Sequence, residues 1–166
     1  EFDITFKVYP GGHCSGYLDS LQIGESIEVF RRGDYQRRPG THVGIIAFGV
    51  GITEAFPVAK AELLKPEAKH VKLLWASKTM ADTFWYDQID ATQKAHPTRF
   101  ELVKIFSREQ HEGSLYGRIN TQILSEVFDR RWGTARGGEN EACRESVRFL
   151  TVGTKEMMNE TEKLLY

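Results

Sequence analysis

The chain has 166 residues, 40% of them apolar and 27% charged, with 22 Lys and Arg against 23 Asp and Glu for a formal net charge of −1. That length holds one domain or one and a fraction, and the near-neutral balance excludes a general polyanion binder, which needs a basic excess to release counterions from nucleic acid. No apolar run approaches the roughly 18 residues of a membrane span, and two cysteines, Cys14 and Cys143, are too few for a disulfide framework or a zinc site of their own, so a reducing, cytoplasmic setting is expected, or the cytosolic face of a membrane through parts outside this chain.

Residues 3–9 alternate, with Ile4, Phe6 and Val8 on one side, and predict a half-buried strand. Pro10-Gly11-Gly12 breaks it. Ser15 is placed to cap a short helix over residues 16–21, Ile23-Gly24 turns the chain, and residues 26–30 predict a second strand. Two short strands and one short helix cannot build a core alone, so residues 1–38 read as the tail of a separate domain. Residues 31–40 carry Arg31, Arg32, Arg37 and Arg38 among turn formers and read as a solvated connection. The main domain is placed at 41–166.

From there strand and helix patterns alternate, which predicts a mostly parallel sheet with helices on both faces. The strands are residues 42–48, 70–77, 100–106 and 147–152. A helix follows the first of them, with Phe56, Ala59, Leu63 and Leu64 on one face. Others are predicted at 81–95, at 120–128 with Ile123, Leu124 and Val127 inward, and at 155–166. Residues 129–146 read as a flexible surface loop. Trp75, Trp85 and Trp132 are read as packing residues. His42, His70, His96 and His111 lack metal-ligand spacing, and Glu109, Glu112 and Asp82 lack a pairing suited to acid–base work.

In an open sheet of this kind, ligands lie at the carboxyl ends of the strands. The strand at 42–48 runs into Gly49-Val50-Gly51-Ile52-Thr53. Glycine lets a backbone turn tightly and approach a ligand with no Cβ in the way, and the following helix aims N–H groups and a positive dipole end at the turn, which favours phosphate. Thr53 offers a hydroxyl as cap or ligand contact. The third glycine of Gly-x-Gly-x-x-Gly is missing, and a strand-to-helix turn of any α/β protein shares what is left. The other strand ends offer Ser77-Lys78-Thr79, Ser107-Arg108, and Gly153 leading to Met157 and Met158. That array suits a phosphorylated ligand lying across the sheet edge.

In order and spacing these motifs resemble the ferredoxin–NADP reductase superfamily, in its cytochrome b5 reductase branch. Gly49-Val50-Gly51-Ile52-Thr53 resembles that family's Gly-Thr-Gly-Ile-Thr nucleotide turn. Gly12-His13-Cys14-Ser15 before Tyr17-Leu18 is similar to its flavin-pyrophosphate turn, and Gly153-Thr154-Lys155-Glu156-Met157-Met158 to its late Cys-Gly-x-x-x-Met motif. The likeness covers nearly the whole chain. It implies a Rossmann-like, parallel doubly wound nucleotide domain preceded by an antiparallel flavin-binding barrel, of which residues 1–38 would be the last strands.

The resemblance further implies an oxidoreductase in which NADP(H) or NAD(H) passes hydride to FAD, and FAD passes electrons to a heme or metal protein or a fused domain. Gly49, Gly51, Ile52 and Thr53 would hold the pyrophosphate and nicotinamide side, with Ser77 at the neighbouring strand end. Ser107, Arg108, Tyr116 and Arg118 would hold the adenosine 2′-phosphate. Gly153 and Met157 would flank the nicotinamide, with Thr53 and position 152 beside the reacting carbon, and His13, Cys14 and Ser15 would touch the flavin pyrophosphate. Arginine forks and a hydroxyl suit a phosphate, which favours NADPH.

The sequence departs from the family at Glu54, where a proline is common, and at Val152, where the family has its cysteine. The family's Arg-x-Tyr-Ser/Thr flavin motif has no counterpart, there is no initiator methionine, and the chain ends at Tyr166 before the family's last strand. A fragment of a larger flavoenzyme, holding flavin poorly by itself, is therefore expected. The alternatives are a non-catalytic nucleotide-binding module of the same fold and an unrelated Rossmann-like transferase.

Overall fold

The computed structural model describes residues 3–30, 40–128, 132 and 147–165. They fall into two compact units, Glu1–Arg37 and Arg38–Tyr166.

The first unit contains helix α1, His13–Ser20, which starts earlier than its sequence suggests. Gly12, not Ser15, is the N-cap, and no side chain caps the helix. Ser15 Oγ instead accepts the Tyr9 amide at 3.2 Å, tying the incoming segment to the first helical turn. The strands read at 3–9 and 26–30 do not form among the described residues. Ile4, Phe6 and Val8 alternate as read, yet they are 51%, 39% and 44% exposed. A strand needs a hydrogen-bonded neighbour and cover for its apolar face, and among the described residues neither segment pairs with another.

The second unit runs β1 His42–Phe48, α2 Ile52–Leu63, β2 His70–Ser77, α3 Tyr86–Ala95, β3 Phe100–Phe106, β4 Leu115–Tyr116, α4 Thr121–Val127, β5 Val147–Val152 and α5 Lys155–Leu165. Its five strands lie in the order β4-β3-β2-β1-β5, every neighbouring pair parallel. The two residues of β4 are too few to show alternation; they are a strand only because Leu115 and Tyr116 pair with Ile105 and Phe106.

Alternate strand positions divide the core. Val43, Ile45, Val71, Leu73 and Trp75 pack with Phe56 and Ala59 of α2 and Ile89 of α3. Ile46, Leu74 and Ile105 pack with Leu124 and Val127 of α4 and Leu165 of α5. Helices thus cover both faces, which is why β1 and β2 read as near-continuous apolar runs. A buried ion pair, Arg148 Nη2 to Glu62 Oε1 at 2.7 Å, joins β5 to α2.

Three boundaries differ from the sequence reading. Leu64 is 84% exposed, because α2 ends at Leu63 and Leu64 is its C-cap. The helix expected at 81–95 begins at Tyr86: Met80–Asp82 is a 3-10 turn, and Trp85 takes the left-handed conformation (φ 58) as the N-cap of α3. Ring packing holds that segment, with Trp85 centred 5.4 Å from Phe84 and 6.4 Å from Phe56. Asn120 is the cap of α4, its Oδ1 accepting the Ile123 amide at 2.9 Å. The loop expected at 129–146 lies outside the described residues apart from Trp132, which is buried against Phe128, and the connection at 31–40 lies outside them apart from Gly40.

Candidate nucleotide-binding site

Five parallel strands put five carboxyl ends on one edge. The registers pair Phe48 with Ala76, Ser77 with Phe106, Phe106 with Tyr116, and Ala47 with Val152. The loops that begin at Gly49, Lys78, Ser107, Gly117 and Gly153 therefore leave the sheet along a single line. At about 4.8 Å per strand that line is roughly 19 Å long.

Its glycines do different work. Gly49 has φ +54, and a Cβ there would meet nothing within 4 Å. Gly51 has an ordinary helical φ, but a Cβ on it would lie 2.7 Å from the Val152 carbonyl oxygen, and one on Gly153 would lie 2.8 Å from the Phe48 ring. Gly51 and Gly153 thus let the first and last turns close on each other, and Gly49 stands over open space. The Trp75 indole donates to the Gly49 carbonyl at 2.9 Å. Trp75, read from the sequence as packing, is buried and also ties down the Gly49 turn.

Gly49–Gly51 is a 3-10 turn that leads into α2, and no side chain caps α2. The turn's own amides are the ones left to meet an anion. Of the two roles read for Thr53, cap or ligand contact, the cap belongs to Gly51, and Thr53 Oγ1 donates back to the Val50 carbonyl at 3.0 Å. That bond uses the hydroxyl proton and leaves an oxygen able to accept. Pro57, inside α2, has no N–H to give the Thr53 carbonyl. The Ile52 side chain is fully buried, and its amide bonds the carbonyls of Gly49 and Val50. The 3-10 turn ahead of the helix consumes the amide that a plain α-helical start would have offered.

Toward β4, main-chain bonds stitch the loops together. Ser107 N–H donates to the Ser77 carbonyl and Arg108 N–H to that of Lys78, each at 3.0 Å, and Gly117 N–H to that of Phe106 at 2.8 Å. Lys78, Arg108, Tyr116 and Arg118 are exposed at this end. Ser77 Oγ is buried and has no hydrogen-bond partner among the described residues. It ends β2 on the same face as Trp75. The Glu109 carboxylate accepts the Met80 amide across the two loops. At the β5 end, Val152 is buried, Met157 is 44% exposed, and the Met157 amide reaches Thr154 Oγ1 at 3.4 Å.

In the first unit, the earliest intrahelical amide of α1 is that of Gly16, bonded to the Gly12 carbonyl at 2.8 Å. The amides of His13, Cys14 and Ser15 precede it at an uncapped helix start, a donor set that fits a pyrophosphate oxygen.

The parallel order therefore brings together Gly49, Gly51, Ile52, Thr53, Ser77, Ser107, Arg108, Tyr116, Arg118, Gly153 and Met157, with the Ile52 side chain turned into the core. It adds Trp75, Lys78 and Glu109. Lys78 was visible as a cation at a strand end; Trp75 and Glu109 act through bonds that no sequence spacing announces.

A cleft of about 440 Å³ lies at the opposite edge, among His42, His70, Lys72, Arg99, Glu101 and Trp132. Its cations serve the fold. Lys72 bonds the Val127 carbonyl at 2.8 Å and Glu101 at 2.9 Å, and Arg99 bonds the carbonyls of Lys65 and Ala68. Among the described residues no three His, Cys, Asp or Glu gather as a metal site, and no helix is long and apolar enough to cross a membrane.

The family described as the oxidoreductase NAD-binding domain matches residues 45–163. An NADH-cytochrome b5 reductase 1 of Meyerozyma guilliermondii is 32% identical over 129 residues, covering 74% of this chain and 45% of that protein. The CS-b5R domains of human Ncb5or, solved in an NAD+ form, superpose with a TM-score of 0.75 at 23% identity, over 96% of this chain and 44% of that one. The cytochrome b5 reductase domain of Ulva prolifera nitrate reductase superposes with a TM-score of 0.74 at 23% identity, over 96% and 65%. At that identity the superpositions concern the fold. The chain spans about half the length of the curated relatives it matches.

Proposed function

We propose, from the premise that this chain belongs to the oxidoreductase NAD-binding domain family, that it is the pyridine-nucleotide module of a larger flavin-dependent oxidoreductase. The observation that carries this is the left-handed corner at Gly49, open in front and uncapped behind, on an edge shared by five strand ends. A dinucleotide would lie along that edge. Its pyrophosphate would sit over the Gly49–Gly51 amides, its nicotinamide toward Thr53, Val152 and Met157, and its adenosine toward Ser107, Arg108, Tyr116 and Arg118. The Ser77 hydroxyl, buried and without a partner among the described residues, would bond the nucleotide only once the chain covering it shifts.

FAD, when bound, supplies the acceptance of a hydride and the release of single electrons. The chain's own share is placement. Val152 and Met157 would give the nicotinamide an apolar wall, and the Thr53 hydroxyl, its proton spent on Val50, an acceptor for an amide. His13, Cys14 and Ser15 are the residues that would hold the flavin pyrophosphate. The names of the relatives, cytochrome b5 reductase and nitrate reductase, support a heme or metal protein, or a fused domain, as electron acceptor.

The exposed cations Lys78, Arg108 and Arg118 support NADP(H), whereas the relative from Meyerozyma is named for NADH. We favour NADP(H). Titrating the full-length protein with 2′,5′-ADP and 5′-AMP at low salt decides: the former is expected to bind tighter, and equal affinity ends this choice. The wider reading is tested by anaerobic mixing of the flavin-loaded full-length protein with NADPH or NADH, followed at the flavin absorbance. Bleaching within seconds is expected. Retained flavin that neither nucleotide bleaches would favour the second reading, a nucleotide-binding module without redox work, for which Val152 in the place of the family cysteine is the specific observation.

A further inference from the structure

The loops after β2 and β3 are joined by three bonds. Two are main chain, from Ser107 to Ser77 and from Arg108 to Lys78. The third differs in kind: the Met80 amide donates to the Glu109 carboxylate, a side chain reaching 29 residues back along the chain. Glu109 directly follows Arg108, at the corner where Lys78, Arg108 and Arg118 are exposed. Among the described residues none of these three cations forms an ion pair. A carboxylate left loose at this corner would pair with Arg108 or face any anionic ligand directly, and like charges brought together are a strong discriminator. Bonded to the Met80 amide and half-buried, it is turned away toward the β2 loop.

The bond also fixes geometry. Met80 opens the Met80–Asp82 turn, whose Thr79 hydroxyl bonds Asp82 at 2.8 Å and whose Met80 carbonyl accepts the Thr83 hydroxyl at 2.6 Å. The turn is a small rigid body hung from the end of β2 by Lys78 and Thr79. Pulling on Met80 therefore sets where Lys78 stands relative to Arg108.

We propose that Glu109 is a positioning residue for nucleotide selection: by accepting the Met80 amide it holds the β2 loop against the β3 loop and sets Lys78 and Arg108 as one cationic corner for a 2′-phosphate. Lys78 is then a specificity-determining residue that the glycine motifs do not announce. This rests on the NADP(H) reading above. It separates acceptor from charge, because Glu109→Gln keeps the accepting oxygen and removes the negative charge, whereas Glu109→Ala removes both.

The test measures the affinity of 2′,5′-ADP relative to 5′-AMP in the full-length protein by calorimetry, with melting temperatures alongside. E109A is expected to reduce the ratio about tenfold, E109Q to hold or raise it, and K78M to reduce it about fivefold while leaving 5′-AMP unchanged. A wild-type ratio of one ends the NADP(H) reading and this inference with it. A wild-type preference that survives E109A and K78M overturns this inference alone. So does E109Q behaving as E109A, or an E109A that weakens both nucleotides equally, since a structural lesion would do the same.

Discussion

Gly49 is the residue whose replacement most sharply separates folding from binding. Its φ of +54 lies in the left-handed region, and the space before it holds no protein atom within 4 Å. Alanine there costs about 1–2 kcal/mol of backbone strain, offset by up to about 1 kcal/mol from a less flexible unfolded chain. The net loss is near 1 kcal/mol, a fall of about 2–4 °C in Tm for a chain this long. A nucleotide phosphate would meet the new methyl where it should meet the turn's amides. Losing one charge-assisted hydrogen bond, about 1.5–3 kcal/mol, weakens binding roughly 10- to 100-fold. Asparagine supplies the control, because it tolerates the left-handed conformation yet fills the same space. Gly49→Asn should melt closer to wild type than Gly49→Ala and bind nucleotide equally poorly. Thermal melts and nucleotide titration of the two full-length variants check this. An asparagine variant with wild-type affinity would mean that the glycine is there for φ alone, and the ligand-facing reading of the turn would be wrong.

Three further outcomes follow from single contacts. Trp75→Phe removes the indole bond to the Gly49 carbonyl and should lower stability by about 1 kcal/mol while weakening nucleotide binding; unchanged affinity would show the turn holds its shape without that bond. Arg148→Met leaves the Glu62 carboxylate buried without its arginine and should cost about 3 kcal/mol in urea denaturation, with much of it recovered in the Glu62→Leu/Arg148→Met double variant; additive losses would count against the pair. Pro57→Ala places an N–H below the Thr53 carbonyl at an exposed helical position and should raise stability by about 1–2 kcal/mol, read from the shift in denaturation midpoint.

The sheet was legible because burial on both faces leaves a direct mark. β1 and β2 are apolar on successive residues, and glycine or proline brackets most of the elements around them. The same periodicity misled at residues 3–9, since alternation of Ile4, Phe6 and Val8 says which side is apolar and nothing about a partner strand. It misled again at Trp85, where ring packing on Phe56 and Phe84 overrides helical spacing. In the site, strand ends and turn glycines were readable because topology and φ constrain residue type locally. The bonds that set the geometry were not. Trp75 and Gly49 are 26 residues apart, Met80 and Glu109 are 29 apart, and neither spacing belongs to any element.

The motif glycines overstate what they show about a ligand, because Gly51 and Gly153 are already required by the contact between the first and last turns. The Ser77 hydroxyl is different, since nothing in the packing asks for it. Buried without a partner among the described residues, it costs the free protein about 1–3 kcal/mol relative to a bonded state. Ser77→Ala removes that penalty and leaves a gap of one oxygen, so the variant should be more stable than wild type by about 0.5–1 kcal/mol. If the hydroxyl is kept for a nucleotide, the same variant should bind about fivefold more weakly, the loss of one neutral hydrogen bond of about 1 kcal/mol. Gain in stability with loss in affinity is the signature of a polar group held unsatisfied for a ligand. A Ser77→Ala protein that is less stable and binds as before would mean the hydroxyl serves the fold in solution, and the adenosine end of the site would have to be sought elsewhere along the edge.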